Sequence, residues 1–357
     1  MNREIFSAFF NTKLILIFSL IIFSNNAMAT DSNENAVDAS SVPPVITPQK
    51  SVLGMVTGSK TGTYYRFGED IKSATASENF LVDVKESSGS IDNINRITSS
   101  ENAALGIVQS DVLGFLMRSQ EPQSKKIAKD LRMIFPFYQE EVHFVARKHI
   151  RTLNDLNGKV VVVGPNGSGS WLTAMNLFNL SGVRPTKLLR NPPEEGLIEV
   201  LRGRADAMIY VVGKPVKLFQ NLNNIMKNSD STIEQLHFVP IDDKVLLAEY
   251  SPAKITSADY DFVKEDVPTI AVTAVLVTYN FARNDTSYAQ IRCNEIRKFS
   301  KSIYSKIDYL KKNGHQKWKE VDLSADVGIW RRDECSITNA SSNTIEKELL
   351  NTLDIKW

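Results

Sequence analysis

Three short stretches combine glycine with serine or threonine where an apolar run ends and a helical pattern begins. The run at 52–56 leads into TGSKTGT (57–63), the run at 80–84 into KESSGS (85–90), and the run at 160–163 into GPNGSGS (164–170). Each junction places backbone N–H groups without helical partners, and side-chain hydroxyls, at the start of a helix. Such donors can bind an anion.

The position of these junctions predicts a binding site for a small carboxylate. Helix N-termini favour negative charge, typically by about 0.3 to 1 kcal/mol each. Ligands of open α/β sheets bind at the carboxyl edge of the strands, where all three junctions would lie. Glycine and serine also serve as ordinary turns and caps, and this alternative stays open for each junction taken alone.

A phosphate-binding loop is a poorer interpretation of TGSKTGT. That loop requires G-x-x-x-x-G-K-[ST], with the second glycine directly before the lysine. In this chain Ser59 separates Gly58 from Lys60. The sequence therefore favours a carboxylate site over a nucleotide site, and it calls for no cofactor.

The predicted site takes donors from both halves of the chain. Backbone amides of 58–63 and 167–170 would bind carboxylate oxygens, and Thr61, Thr63, Ser168 and Ser170 would add hydroxyls. Tyr64 or Tyr65 would wall the pocket, Gln109 and Ser110 would reach into it, and Tyr210 would close it, with core packing as the alternative for Tyr65 and Tyr210. The predicted ligand-binding residues are Gly58, Ser59, Lys60, Thr61, Gly62, Thr63, Tyr64, Tyr65, Gly89, Ser90, Gln109, Ser110, Asn166, Gly167, Ser168, Gly169, Ser170 and Tyr210.

The elements that must position these residues follow an α/β pattern. Runs rich in Val and Ile predict strands at 52–56, 80–84, 104–108, 142–146, 159–163, 207–211, 237–241 and 269–278. Helical spacing lies between them, as in Ile91, Ile94 and Ile97. This alternation predicts parallel sheets flanked by helices. Two extended crossings, the second near 236–243, would divide the chain into lobe I (51–143 plus 240–357) and lobe II (144–239).

The first 50 residues predict export. LILIFSLIIF (14–23) follows Arg3 and Lys13 and precedes Ala27-Met28-Ala29, which is the pattern of a secretory signal peptide cleaved after Ala29. The run is too short to span a bilayer, which takes about 20 apolar residues. Residues 30–50 are polar and predict a flexible leader. The expected product is a periplasmic protein that is not inserted in a membrane.

Charge and cysteine usage narrow the function further. The chain carries 42 basic and 41 acidic residues, and loss of residues 1–29 brings its net charge to zero. A neutral protein has no excess of positive charge that would indicate nucleic-acid binding. Cys293 and Cys335 are the two cysteines, and an oxidising compartment predicts a disulfide between them. The four histidines show no metal-ligand spacing, so no metal site is predicted.

Five segments together resemble the TAXI family, the solute-binding subunits of one class of TRAP transporters. They are TGSKTGTYY (57–65), ESSGS (86–90) with Asn93, GIVQSD (106–111), VGPNGSGS (163–170) and EDVPT (265–269). The family has T-G-G-T-G-G-T-Y-Y at the first segment, so Ser59 and Lys60 depart from it. The pattern does not extend beyond about residue 315.

The resemblance implies a monomeric, two-lobed periplasmic binding protein of type II, with a two-strand hinge that closes on its solute. It implies delivery to TRAP permease subunits and a solute like glutamate, glutamine or 2-oxoglutarate. Lys60 is either a further carboxylate ligand or a solvated loop lysine. A sensor subunit for a receptor kinase is an alternative function. A hydrolase is disfavoured because no G-x-S-x-G elbow occurs.

Overall fold

The computed structural model describes residues 50–99, 103–220, 222, 236–283 and 285–337. These residues all belong to one compact unit that begins at Lys50. The predicted signal peptide and the predicted leader, except Lys50, lie outside the described residues, and so does the chain after 337.

Ten strands alternate with nine α-helices in this part of the chain. The strands are β1 (Ser51–Val56), β2 (Phe80–Lys85), β3 (Leu105–Gln109), β4 (Leu131–Arg147), β5 (Val160–Val162), β6 (Lys187–Leu189), β7 (Ala207–Val212), β8 (Leu236–Phe238), β9 (Ser251–Ile255) and β10 (Val267–Tyr279). The helices are α1 (Thr63–Ala74), α2 (Ser90–Thr98), α3 (Val112–Arg118), α4 (Pro122–Asp130), α5 (Gly169–Ser181), α6 (Pro193–Leu201), α7 (Lys217–Gln220), α8 (Lys244–Leu247) and α9 (Ser287–Asn313). Short 3₁₀ helices cover Leu153–Leu156, Phe281–Arg283 and Gln316–Glu320.

The strands form one sheet in the order β2-β1-β3-β10-β4-β7-β5-β6, with β8 beside β4 and β9 beside β10. β1 runs parallel to β2 and β3, and β5 runs parallel to β6 and β7. Helices α1 and α2 connect the first parallel group, and α5 and α6 connect the second. The predicted α/β fold is therefore confirmed, and the carboxyl ends of β1, β2 and β5 each lead directly toward a helix.

Two long strands link the two parallel groups. β4 pairs with β10 over Leu131–Glu141 and with β7 and β8 over Glu141–Arg147. β10 continues from β9 to β3. The sequence predicted the second crossing near 236–243. In the structure that region holds only the three-residue strand β8, and the second long strand between the two parallel groups is β10. The division into two lobes stays a prediction.

Separate hydrophobic clusters support the two ends of the sheet. The first packs α1 and α9 against the β1 side and contains the stacked rings of Phe67 and Trp318, whose centroids are 4.2 Å apart. The second contains Phe219, Phe238 and Tyr260, which contact one another near β7 and β8. Each parallel group thus packs on its own hydrophobic cluster, and the long strands β4 and β10 contribute residues to both clusters.

A disulfide joins Cys293 on α9 to Cys335, as predicted, with Cα atoms 5.1 Å apart. The segment that carries Cys335 runs beside the start of β4, because Met133 N donates to Arg331 O and Asp333 N donates to Met133 O, both at 2.9 Å. The bond therefore attaches the last described segment to the outer helix. Within the described residues no helix combines the length and apolar character needed to cross a membrane.

Removing the disulfide should destabilise the protein substantially. The two cysteines are 42 residues apart, and a loop of that length predicts a loss of about 3 to 4 kcal/mol of unfolding free energy in the double variant Cys293→Ser/Cys335→Ser. Urea unfolding without reductant measures the loss. Reductant should bring the wild type to the variant's midpoint and leave the variant unchanged; a wild-type midpoint that does not respond would contradict the prediction.

Candidate functional site

A cavity of about 1150 Å³ lies at the carboxyl ends of β1, β2, β5 and β7. Twelve of the predicted ligand-binding residues line it: Gly58, Ser59, Thr61, Gly62, Thr63, Tyr64, Gly89, Gln109, Ser168, Gly169, Ser170 and Tyr210. Six do not: Lys60, Tyr65, Ser90, Ser110, Asn166 and Gly167. The structure thus brings residues from all three glycine-containing junctions to one cavity wall. The assignment of these residues to ligand binding stays a prediction.

Three helix N-termini border the cavity. Gly62 is the N-cap of α1, Gly89 is the N-cap of α2 and Ser168 is the N-cap of α5, and all three line the cavity. The Ser168 hydroxyl accepts a hydrogen bond from Trp171 N, whereas Gly62 and Gly89 offer no side chain to their helices. First-turn amides that lack an intrahelical partner are donors for an external acceptor. The arrangement gives this wall a partial positive charge.

The loops that carry these N-termini touch one another. Ile91 N donates to Gly167 O at 3.2 Å, and a Cβ at Gly89 would lie 3.3 Å from the Cα of Ser168. Gly89 has a φ of +113°, a conformation that side chains disfavour. A Cβ at Gly169 would lie within 2.3 Å of the Gln109 Oε1 atom. Glycine at 89 therefore lets the loop after β2 contact the loop after β5, and glycine at 169 leaves room for Gln109 at the end of β3.

A buried carboxyl group, which the sequence reasoning missed, also faces the cavity. Glu140 lies on β4 with only 5% of the residue exposed. Tyr64 Oη donates to its Oε2 atom at 2.9 Å and Gln109 Nε2 donates to the same atom at 3.1 Å. Tyr138 Oη donates to Oε1 at 3.4 Å. Burial raises the pKa of Glu140 to about 7, although the bonds from Gln109 and Tyr64 favour its charged form.

Four basic residues line the cavity, against two acidic ones, Glu140 and Glu194. They are Arg66, Lys214, Lys217 and Lys317. Lys214 Nζ lies 2.9 Å from Asp259 Oδ2, and Lys317 Nζ lies 2.8 Å from Glu320 Oε1. The sequence gave no sign of these lysines, because 214–217 and 315–317 lie far along the chain from the glycine junctions.

Lys60, which departs from the family pattern, does not reach the cavity. Its side chain is 69% exposed, and its Nζ atom lies 3.9 Å from Glu86 Oε2. At that exposure the pair contributes at most about 1 kcal/mol. The position matches the solvated-loop alternative.

The cavity serines have structural hydrogen bonds. Ser168 Oγ caps α5, and Ser170 Oγ accepts from Val211 N at 3.0 Å. His143 lies among the aromatic rings of the second core, where its Nε2 atom is 2.7 Å from Tyr260 Oη. Burial lowers the pKa of His143 to about 4. Among the described residues no histidine is hydrogen-bonded to Ser168 or Ser170.

A second, partly buried carboxyl group connects the end of β3 to α5. Asp111 Oδ2 accepts from Thr173 Oγ1 at 2.9 Å, from Asn176 Nδ2 at 3.2 Å and from Tyr250 Oη at 3.1 Å. Burial raises the pKa of Asp111 to about 6, while these three bonds oppose the rise. Thr173 also lies 3.2 Å from Gln109 Oε1. This cluster therefore positions the Gln109 amide that donates to Glu140.

Residues 55–327 match the NMT1-like family, and the chain belongs to this family. The order of strands and helices confirms the predicted α/β class. The more specific assignment to the TAXI group of TRAP transporter subunits stays a prediction.

Solved structures similar to this chain include three binding or sensor proteins. The ligand-binding component of an ABC-type import system from Staphylococcus aureus is 10% identical, with 85% of this chain and 92% of that chain covered and a TM-score of 0.42. An ancestral arginine-binding protein is 14% identical, with 76% and 96% covered and a TM-score of 0.41. A histidine kinase sensor domain is 12% identical, with 76% and 98% covered and a TM-score of 0.43.

Glu140 should make stability depend on pH. Its pKa is about 7 in the folded protein against an ordinary value of 4.5, so the folded state binds the proton more tightly than the unfolded state does. Stability from this group is fully present below pH 4.5 and is lost as the pH rises through 7, by about 3 kcal/mol in total. Glu140→Gln should therefore gain about this much relative to the wild type between pH 4 and 8.

Urea unfolding of both proteins across this pH range measures the difference. Asp111 also titrates between its ordinary value and about 6, but it is present in both proteins and cancels in the comparison. A constant difference in unfolding free energy across the range would show that Glu140 titrates normally.

Proposed function

We propose that this protein binds a small carboxylate solute, like glutamate, glutamine or 2-oxoglutarate, in the periplasm and delivers it to a TRAP-type permease. The observation that carries the proposal is the convergence of three helix N-termini, those of α1, α2 and α5, on one cavity. A carboxylate placed there would accept hydrogen bonds from first-turn amides and would interact favourably with the helix dipoles.

Charge and size support the same conclusion. Arg66 and Lys217, which line the cavity beside the ion-paired Lys214 and Lys317, favour an anion. Its volume of about 1150 Å³ lies near the upper end of ordinary small-molecule pockets, so it has room for an amino acid or dicarboxylate with bound water. The cavity serines are engaged in capping and sheet contacts, and this supports binding as the function in preference to hydrolysis.

A calorimetric screen tests the solute class. Glutamate, glutamine, 2-oxoglutarate and related small acids should include at least one that binds with micromolar affinity or better, because several amide and hydroxyl contacts converge on one anion. Absence of binding across the whole set would refute the carboxylate proposal.

A matched pair of variants at Gly62 tests where the carboxylate binds. Gly62→Asp would place a carboxylate of the protein itself at the N-cap of α1, where it competes with the solute, and should weaken binding by about 10-fold or more. Gly62→Asn has nearly the same shape without the charge and should weaken binding less. An equal loss in both variants would remove the α1 N-terminus from the carboxylate site.

Delivery to a TRAP permease rests on the five segments that resemble the TAXI family. In vesicles that contain such a permease, solute uptake should require the wild-type protein and should fall in Gly62→Asp. Uptake that is independent of the protein, or docking on a receptor kinase instead, would favour the sensor alternative.

A further inference from the structure

The Glu140 carboxyl group is an unexpected feature in a cavity whose other features favour an anion. It lies on β4, and among the described residues its oxygens receive hydrogen bonds only from the neutral groups of Tyr64, Gln109 and Tyr138. A buried carboxylate normally has a cationic partner or a full set of donors, because desolvation of the charge costs several kcal/mol.

The neighbouring cations are held elsewhere. Lys317 is the basic residue that most favours the charged form of Glu140, but its Nζ atom lies 2.8 Å from Glu320 and 5.9 Å from the centre of the Tyr138 ring. Within the described ranges no lysine, arginine or histidine nitrogen lies within 4 Å of the Glu140 oxygens, although other carboxylates in the same part of the chain have such partners. Glu140 thus offers acceptor capacity to the cavity without an ion pair of its own.

We propose that Glu140 receives the ammonium group of the solute, so that the cavity selects an amino acid such as glutamate or glutamine over a 2-oxo acid of the same length. This inference rests on the proposed function. A zwitterion presents a carboxylate to the helix N-termini and an ammonium to Glu140. A 2-oxo group at the same place would set a carbonyl oxygen against the Glu140 oxygens, and the two could hydrogen-bond only after the carboxyl group takes up a proton.

Proton exchange on binding distinguishes the two classes of solute. The titratable groups around Glu140 are Tyr64 on α1, Tyr138 and Glu141 on β4, Tyr210 on β7, and Lys317 in the 3₁₀ helix at Gln316–Glu320. Burial holds the pKa of Glu140 near 7, so a large fraction of the group is protonated at neutral pH. An ammonium beside it lowers this pKa and expels the proton, whereas a further carboxylate or carbonyl raises it and takes a proton up.

Calorimetry at pH 7 in buffers of different ionisation enthalpy provides the test, with glutamate, glutamine and 2-oxoglutarate as the probes. Glutamate or glutamine should bind to the wild type with release of about half a proton, since the pKa lies close to the pH. 2-Oxoglutarate should bind at least about 10-fold more weakly. These readouts use the wild-type protein and do not depend on a variant that folds.

Two variants localise the effect. Glu140→Gln should weaken amino acid binding by about 10- to 100-fold and abolish the proton release, because a neutral amide cannot pair with an ammonium. Glu141→Gln is the matched control: Glu141 is the next residue on β4 and equally buried at 5% exposure, but it does not line the cavity, so the variant should keep the affinity. Loss of its charge lowers the pKa of Glu140, so the proton release should decrease but should not be abolished.

The outcomes separate this inference from the proposed function. If 2-oxoglutarate binds at least as tightly as glutamate, if binding takes protons up, or if Glu140→Gln binds amino acids like the wild type, the ammonium site is overturned while carboxylate binding stands. If none of the three solutes binds to the wild type, the proposed function fails and the inference fails with it.

Discussion

The close contact between the Gly89 loop and the Gly167–Gly169 loop is the constraint on which the rest of the site depends. Because glycine stands at 89, where a Cβ would lie 3.3 Å from the Cα of Ser168, backbone atoms of the two loops approach to van der Waals distance, and Ile91 N can bond to Gly167 O. That contact brings the N-terminus of α2 beside that of α5, with the N-terminus of α1 on the same wall. A cavity rich in donors follows from the packing of backbone against backbone, and no charged side chain is needed to create it.

Glu140, a buried carboxyl group at the same cavity, offsets this positive character. The Asp111 cluster holds Thr173, Thr173 lies against Gln109, and Gln109 donates to Glu140. The links from Thr173 to Gln109 and from Gln109 to Glu140 are buried, so each is electrostatically stronger than it would be in water, and a break in one leaves another polar group unsatisfied. The cavity therefore has donors at the helix N-termini and an acceptor at Glu140.

The sequence indicated the donors at the helix N-termini and missed Glu140, Lys214 and Lys317. The difference has a physical reason. Glycine and serine at 57–63, 85–90 and 164–170 are local signals, since a strand end followed by a helix start can be recognised within about ten residues. Glu140 lies within the apolar run FPFYQEEVHFVA, where a carboxylate is rare enough to be a signal in itself. Lys214 and Lys317 could not be found in this way, because only the folded chain brings β7 and the 3₁₀ helix near residue 317 to the same cavity.

The sequence by itself determined the α/β class, most strand and helix positions, the cysteine pair and the donors at three helix starts, because these depend on short-range periodicity and on residue type. The tertiary structure decided that β4 runs unbroken from Leu131 to Arg147, that β10 is the second long strand, and that Lys60 stays in solvent while Glu140 faces the cavity. These features depend on contacts between residues far apart in the chain. Pairing between strands and burial by distant elements determine these features, and short-range sequence patterns do not predict them.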